Sequence, residues 1–155
     1  MTPSDKVIVV GSDHAGFPLK AELIALCRAE GWEAIDVGSY DPEPVDFPDI
    51  AWAACAQILS GKAARGLLVC GTGVGASIAA NKVVGIRASV CHDAHCAHQC
   101  VEHDNVNMMC IGAKIVGSWL AVDLVRTFLN AKFNATEDHV RRVAKLDHMM
   151  DAARD

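Results

Sequence analysis

A cysteine closes an apolar run and three spaced glycines follow it: Val69-Cys70-Gly71-Thr72-Gly73-Val74-Gly75. Glycines at 71, 73 and 75 let successive backbone N–H groups turn to one side. The helix expected over "ASIAANK" adds its positive end. Together they form a cradle for an anion. The run is neither a G-x-x-x-x-G-K-[ST] phosphate loop nor a G-x-G-x-x-G dinucleotide fingerprint, because its third glycine comes too soon. A thiol at a helix start is biased toward its thiolate. Such a thiolate could take a proton from a carbon beside a carbonyl, and the amides could hold the enediolate oxygen that results. One loop would then supply both base and oxyanion hole, as an aldose–ketose isomerisation requires. The plainer alternative is a tight strand-to-helix turn with a buried cysteine.

Other groups invite similar weighing. Ser12-Asp13-His14 follows the first apolar run and His92-Asp93 the fourth. In "CHDAHCAHQCVEH", Cys96, Cys100 and His103 would share one helix face. Without a C-x-x-C pair or H-E-x-x-H, no metal site is expected. His103 alone reads as an acid–base group, against the plainer reading of a surface helix histidine. Cys27, Cys55 and Cys110 read as buried small hydrophobes. Arg141 and Arg142, four and three residues before Lys145, form a solvated face unless their helix reaches a site.

The elements that must position these groups alternate regularly. "KVIVVG" is a buried strand. The helix after it repeats Leu19, Leu23, Ile24 and Cys27, admits Pro18 in its first turn and stops at Gly31. "WEAIDVG" is a second strand, "SYDPEPVDFPD" a loop, and "IAWAACAQILSG" a helix ended by Gly61. "RGLLVC", "GIRASVC" and "NMMCIGA" are further strands, and "AHCAHQCVEH" is a helix. "SWLAVDLVRTFLNAKF" and a helix over about 136–153 close the chain. Continuous apolar strands alternating with helices predict an α/β domain with about five parallel strands covered on both faces. Ligands in such sheets bind beyond the carboxyl ends of the strands, where three of the polar clusters fall.

Composition narrows the function. A length of 155 residues and 52% hydrophobic content give one domain, 1–155. A net charge of -5 argues against nucleic acid as a partner, though not against a small phosphorylated ligand. No run is long enough for a membrane span, and Met1–Lys6 lacks an apolar leader segment. A cytoplasmic protein is expected, with its 7 cysteines reduced.

"GSDHAGFPLK", "CGTGVGASIAANKVVGIRA", "CHD", the stretch from Glu102 to Asn107 and "IGAKIVG" resemble the ribose-5-phosphate isomerase type B / galactose-6-phosphate isomerase family. The resemblance covers nearly the whole chain. It implies a Rossmann-like α/β/α sandwich, a sugar-phosphate substrate and no cofactor or metal. It also implies a homodimer or a tetramer built from dimers, with sites made by both chains and the last helix at the interface. Cys70 resembles the base that moves a proton between C1 and C2. Part of the family uses a glutamate where this chain has Ala76. Thr72 and His103 resemble ring-opening residues. Asp13 resembles a ligand of substrate hydroxyls, with Asp46 as another. Gly71, Gly73, Val74 and Gly75 resemble the enediolate loop, with Asn81 and Lys82 ending its motif. His14 and Arg142 resemble phosphate contacts.

Several positions depart from the family pattern. Asp138 stands where type B enzymes usually have an arginine, just before His139. A carboxylate cannot hold a phosphate, whereas acids at 137 and 138 suit a helix start after Thr136. Arg141 is a candidate replacement, as is Lys114, which stands where some members have another phosphate arginine. Asp104 and Asn105 invert an expected pair of substrate-facing residues. Ribose 5-phosphate to ribulose 5-phosphate is the expected reaction. Isomerisation of galactose or allose 6-phosphate or of a tetrose phosphate, and a non-catalytic binding subunit, are the rivals.

Overall fold

The computed structural model describes residues 5–152, with side chains through 149. Residues 1–4 and the expected helix end at 153 lie outside the described residues. The elements are β1 Val7–Ser12, α1 Phe17–Ala29, β2 Glu33–Asp36, α2 Phe47–Leu59, β3 Arg65–Cys70 and α3 Val74–Ala80. They continue as β4 Ala88–Val90, α4 Ala94–Asp104, β5 Met108–Gly112, α5 Ser118–Asn130 and α6 Glu137–Ala152. Five parallel strands lie in the order β2-β1-β3-β5-β4. The expected α/β sandwich is therefore the observed fold. After β2 the chain crosses to the other side of β1, so the point where the strand order reverses lies between β1 and β3. That is where open α/β sheets hold ligands.

Strand alternation distributes the core. Ile8, Val10, Leu67, Val69, Met109 and Ile111 face α1, α4 and α5, meeting Leu23, Val101, Leu124 and Phe128. Val7, Val9, Leu68, Met108 and Cys110 face α2 and α3, meeting Ala51, Ala54, Cys55, Ala76 and Ala80. Pro18 sits in the first turn of α1, and Gly31 and Gly61 follow their helices with φ of 80° and 74°. These are the breaks that the sequence predicts.

Some boundaries differ from the sequence reading. β2 is shorter than "WEAIDVG", and β4 keeps only three residues of "GIRASVC". Gly85 turns with φ of 85°, while the side chains of Asn81 and Asn107 bond the backbone from Gly85 to Ala88. Helix α2 starts earlier, at Phe47, because Pro48 fits its first turn. Helix α5 stops at Asn130. There the Arg65 guanidinium, at the amino end of β3, gathers the carbonyls of Phe128, Leu129 and Ala131 and stacks over Phe128 and Trp32. No helix among the described residues is long and apolar enough to cross a membrane.

Candidate active site

At the carboxyl ends of the strands, tight backbone packing brings three loops together. Ser12 pairs with Val69 and Cys70 with Gly112, so β1, β3 and β5 end at one level. Gly16 lets α1 start directly against β3: a Cβ there would stand 2.0 Å from the Val69 carbonyl oxygen. Gly112 passes under Thr72, where a Cβ would meet backbone at 2.6 Å. Gly73 turns with φ of 80° over Ile111. Each position accepts only glycine, because the obstacle is backbone rather than a movable side chain.

The loop holds the thiol. Cys70 is 5% exposed, and Gly73 N–H donates to its Sγ at 3.0 Å. Thr72 Oγ1 accepts from Val74 N–H at 3.3 Å. Ser77 N–H closes back onto the Gly73 carbonyl, so the amides of Gly75 and Ala76 precede the first bond inside α3. Those two donors have no acceptor inside α3, and the loop that leads to them begins at the sulfur. Lys114 N–H donates to the Gly71 carbonyl at 3.1 Å, which ties the exposed Lys114 to the same loop. His92 Nε2 accepts from Gly112 N–H at 3.0 Å, which brings the β4 end into the group.

Asp13 is buried, and its Oδ1 accepts from Gly16 N–H at 2.9 Å. The exposed His14 accepts at Nδ1 from Val45 N–H at 3.3 Å, which draws in the loop that carries Asp46. Asp46 precedes α2, whose Phe47 ring lies against Gly75. Sequence reasoning missed the residue that anchors this loop. Lys20 is 3% exposed, and its ammonium donates to Asp36 Oδ1 at 2.7 Å and to the Ser39 carbonyl. The signal was its place in the buried stripe of α1, three residues before Leu23 and seven before Cys27.

The remaining candidates lie elsewhere. A helix that leaves the carboxyl end of a parallel strand must run back toward the amino end before the next strand begins. His103 is nine residues into α4, roughly 14 Å along it. It and Asp104 therefore lie at the far edge of the sheet from Cys70. His103 is half-buried, with Nδ1 3.0 Å from Gln99 Nε2 and its ring stacked on His139 at 4.4 Å. That stack brings in the start of α6, where Thr136 Oγ1 accepts from His139 N–H as the expected helix cap. Asp138 lies 2.7 Å from Arg141 and 3.8 Å from Arg142, and the Arg141 hydrogen bond holds its carboxyl below the usual carboxylate range. Asn81 is here too, with both ends of its amide bound to Ala88. A cavity of about 420 Å³ is lined by Asn81, Arg87, Cys100, Asp104 and Asp147, among others.

The three residues weighed for metal do not converge. Cys96 is exposed, Cys100 buried, and no group of three metal-ligating side chains occurs among the described residues. Cys27, Cys55 and Cys110 are fully buried. Burial pushes the first two thiols up to about 11 and Cys110 well above its ordinary value.

The chain is similar to known proteins along most of its length. Residues 8–146 match the ribose/galactose isomerase family. Ribose-5-phosphate isomerase B of Escherichia coli is 40% identical over 138 residues, 89% of this chain and 92% of that protein. D-erythrulose-4-phosphate isomerase 2 of Mycolicibacterium smegmatis is 40% identical over 82% of this chain and 86% of its own. The structure of ribose-5-phosphate isomerase B from Clostridium thermocellum superposes with a TM-score of 0.92 at 41% identity, covering 95% of this chain and 99% of that one.

Proposed function

This chain belongs to the ribose/galactose isomerase family and is an aldose–ketose isomerase, and from that premise we propose that it interconverts ribose 5-phosphate and ribulose 5-phosphate through a cis-enediolate. The observation that carries the reading is the Cys70 sulfur, held by Gly73 N–H at the carboxyl end of β3. In this reading Cys70 takes the proton from C2 of the aldose and returns it to C1. The electron pair moves onto the carbonyl oxygen, and the free amides of the loop Gly71 to Gly75 hold the enediolate oxygens, while Gly73 N–H on the sulfur and Val74 N–H on Thr72 shape that loop. Asp13 and Asp46 bind sugar hydroxyls. Thr72 serves in ring opening with His103, and Asp104 lies beside that histidine at the sugar. His14, Lys114 and Arg142 hold the phosphate, with Asn81 fixing the end of the loop motif against β4.

One copy cannot assemble this set, because Cys70 and His103 lie at opposite ends of the sheet. A two-fold dimer solves the problem by placing the α4–α6 corner of each chain over the strand ends of its partner. Exposed apolar side chains on the packed pair α2 and α3 support that arrangement: Trp52 is 62% exposed, Ile78 57% and Val74 52%. A monomeric protein seldom leaves such a surface open.

The test is turnover and solvent exchange together. Four-, five- and six-carbon sugar phosphates are offered to the protein, and ribose 5-phosphate is expected to give the highest kcat/KM. Cys70→Ala is expected to stop exchange of the C2 proton with solvent while leaving binding within about twofold. A better six-carbon or four-carbon substrate replaces the assigned sugar, and persistent exchange in Cys70→Ala removes the assigned base.

A further inference from the structure

Two thiols that the reaction does not use lie in contact. Cys91 Sγ and Cys100 Sγ are 3.8 Å apart, joining the end of β4 to the middle of α4. Among the described residues no other pair of thiols is in hydrogen-bond contact. Ser89 Oγ lies 3.6 Å from Cys91, and the Ala97 carbonyl accepts from the Cys100 thiol at 3.5 Å. The pair is 1% and 8% exposed, but Cys100 lines the cavity beside Arg87 and Asp104, which gives a small oxidant a route to it.

We propose that Cys91 and Cys100 are a peroxide-sensitive dithiol whose closure to a disulfide slows the isomerase. The two sulfurs have unequal roles. Contact with Cys100 and, less strongly, with Ser89 holds the Cys91 thiol below its ordinary value, whereas contact with Cys91 and burial push Cys100 up. Cys91 is the attacking sulfur and Cys100 the resolving one. Cys91 attacks hydrogen peroxide, the O–O bond breaks, and Cys91 sulfenic acid and one water form. Cys100 then attacks the sulfenic sulfur, an S–S bond forms, and the hydroxyl leaves with the Cys100 proton as a second water. Two electrons pass from the thiols to the peroxide.

Closure has a path to the site. A disulfide brings the sulfurs from 3.8 Å to about 2.05 Å, a shift shared between the two side chains and the backbone of α4 and the β4 end. His92, next to Cys91, accepts from Gly112 N–H, and Gly112 lies directly under Thr72. One turn beyond Cys100 stands His103. The backbone part of that shift is felt at both ends of α4.

The reduced full-length protein is treated with a tenfold excess of hydrogen peroxide, alkylated and digested without reductant. The expected peptide carries Cys91 joined to Cys100 with two hydrogens lost, and turnover of ribose 5-phosphate is expected to fall at least fivefold and return with dithiothreitol. Cys91→Ala and Cys100→Ala each keep basal turnover and resist the same dose. Recovery of both thiols alkylated after the exposed Cys96 has been oxidised overturns the proposal. So does a cross-link without loss of turnover, or inactivation of the two variants at the rate of the parent protein. The cross-link is read by mass alone and is independent of which sugar the enzyme takes.

Discussion

At the carboxyl ends of the strands, candidate residues are held by backbone: Gly16 lies against Val69, Gly112 under Thr72, and Gly73 N–H on Cys70. At the amino edge they are held by one another: His103 on His139, and Arg141 and Arg142 on Asp138. The first half has little freedom to change, since any Cβ at its close approaches meets main chain. The second is a set of exposed or half-exposed helical side chains that can be exchanged without disturbing a strand. That difference matches the division of labour proposed for them. Proton transfer between C1 and C2 at Cys70 needs fixed geometry, whereas the part of the phosphate contact that Arg142 supplies can be retuned by replacing surface cations and acids.

The strongest way to break the comparison is to separate the halves genetically. Cys70→Ala and His103→Ala are each expected to lose about two to four orders of magnitude in kcat. Denatured together and refolded, the two variants should recover about a quarter of the parent activity, because half of a random mixture is mixed dimer with one intact site in two. No recovery would mean that both residues serve the same chain, or that they share no site. Next in size is Gly16→Ala, expected to cost about 3 kcal/mol or more in chemical denaturation, because the methyl group meets a carbonyl that cannot yield. An effect below about 1 kcal/mol would remove the claim that backbone contact fixes this end.

The buried thiols sharpen the contrast further. Cys27 and Cys55 rise to about 11 in the fold. The unfolded chain loses those protons near its ordinary cysteine value of about 8.5, while the fold retains them. Stability contributed by the neutral thiols is present below that value and lost as pH rises toward 11, on the order of 2–3 kcal/mol for each. Denaturation at pH 8 and pH 10.5 measures it, and substitution of Cys55 by Ala should flatten the slope. The smallest effect is expected at the amino edge. Asp138→Asn frees Arg141 and Arg142 and should lower KM for a sugar phosphate by roughly two- to fivefold, with kcat unchanged, because exposed ion pairs are weak. A raised KM would show that Asp138 binds the sugar rather than restraining the cations.

Residues whose role is written in backbone geometry were legible in the sequence. The glycines at 71, 73 and 75, the strand before Cys70 and the stops at Gly31 and Gly61 could be placed from residue type alone. His103 was legible as chemistry but not as a position, although the rule that a crossover helix returns to the amino edge already carries that information. The three-residue β4 was not legible, because the asparagines that replace its ladder bonds come from Asn81 and Asn107. Lys20 was hidden by its type: a lysine reads as surface until its stripe is counted. Asp138 drew attention as a departure, but its grip on both arginines follows from side-chain directions on α6 that spacing only permits.

Arg65 binds the end of α5 to the foot of β3, the strand whose other tip carries the thiol. In the proposed dimer the helix that follows α5 serves the neighbouring molecule. Damage at Arg65 would then leave its own pocket chemically whole and appear as a defect in the companion's turnover, so that in a cell making two versions of the chain the injured copy would handicap the sound one.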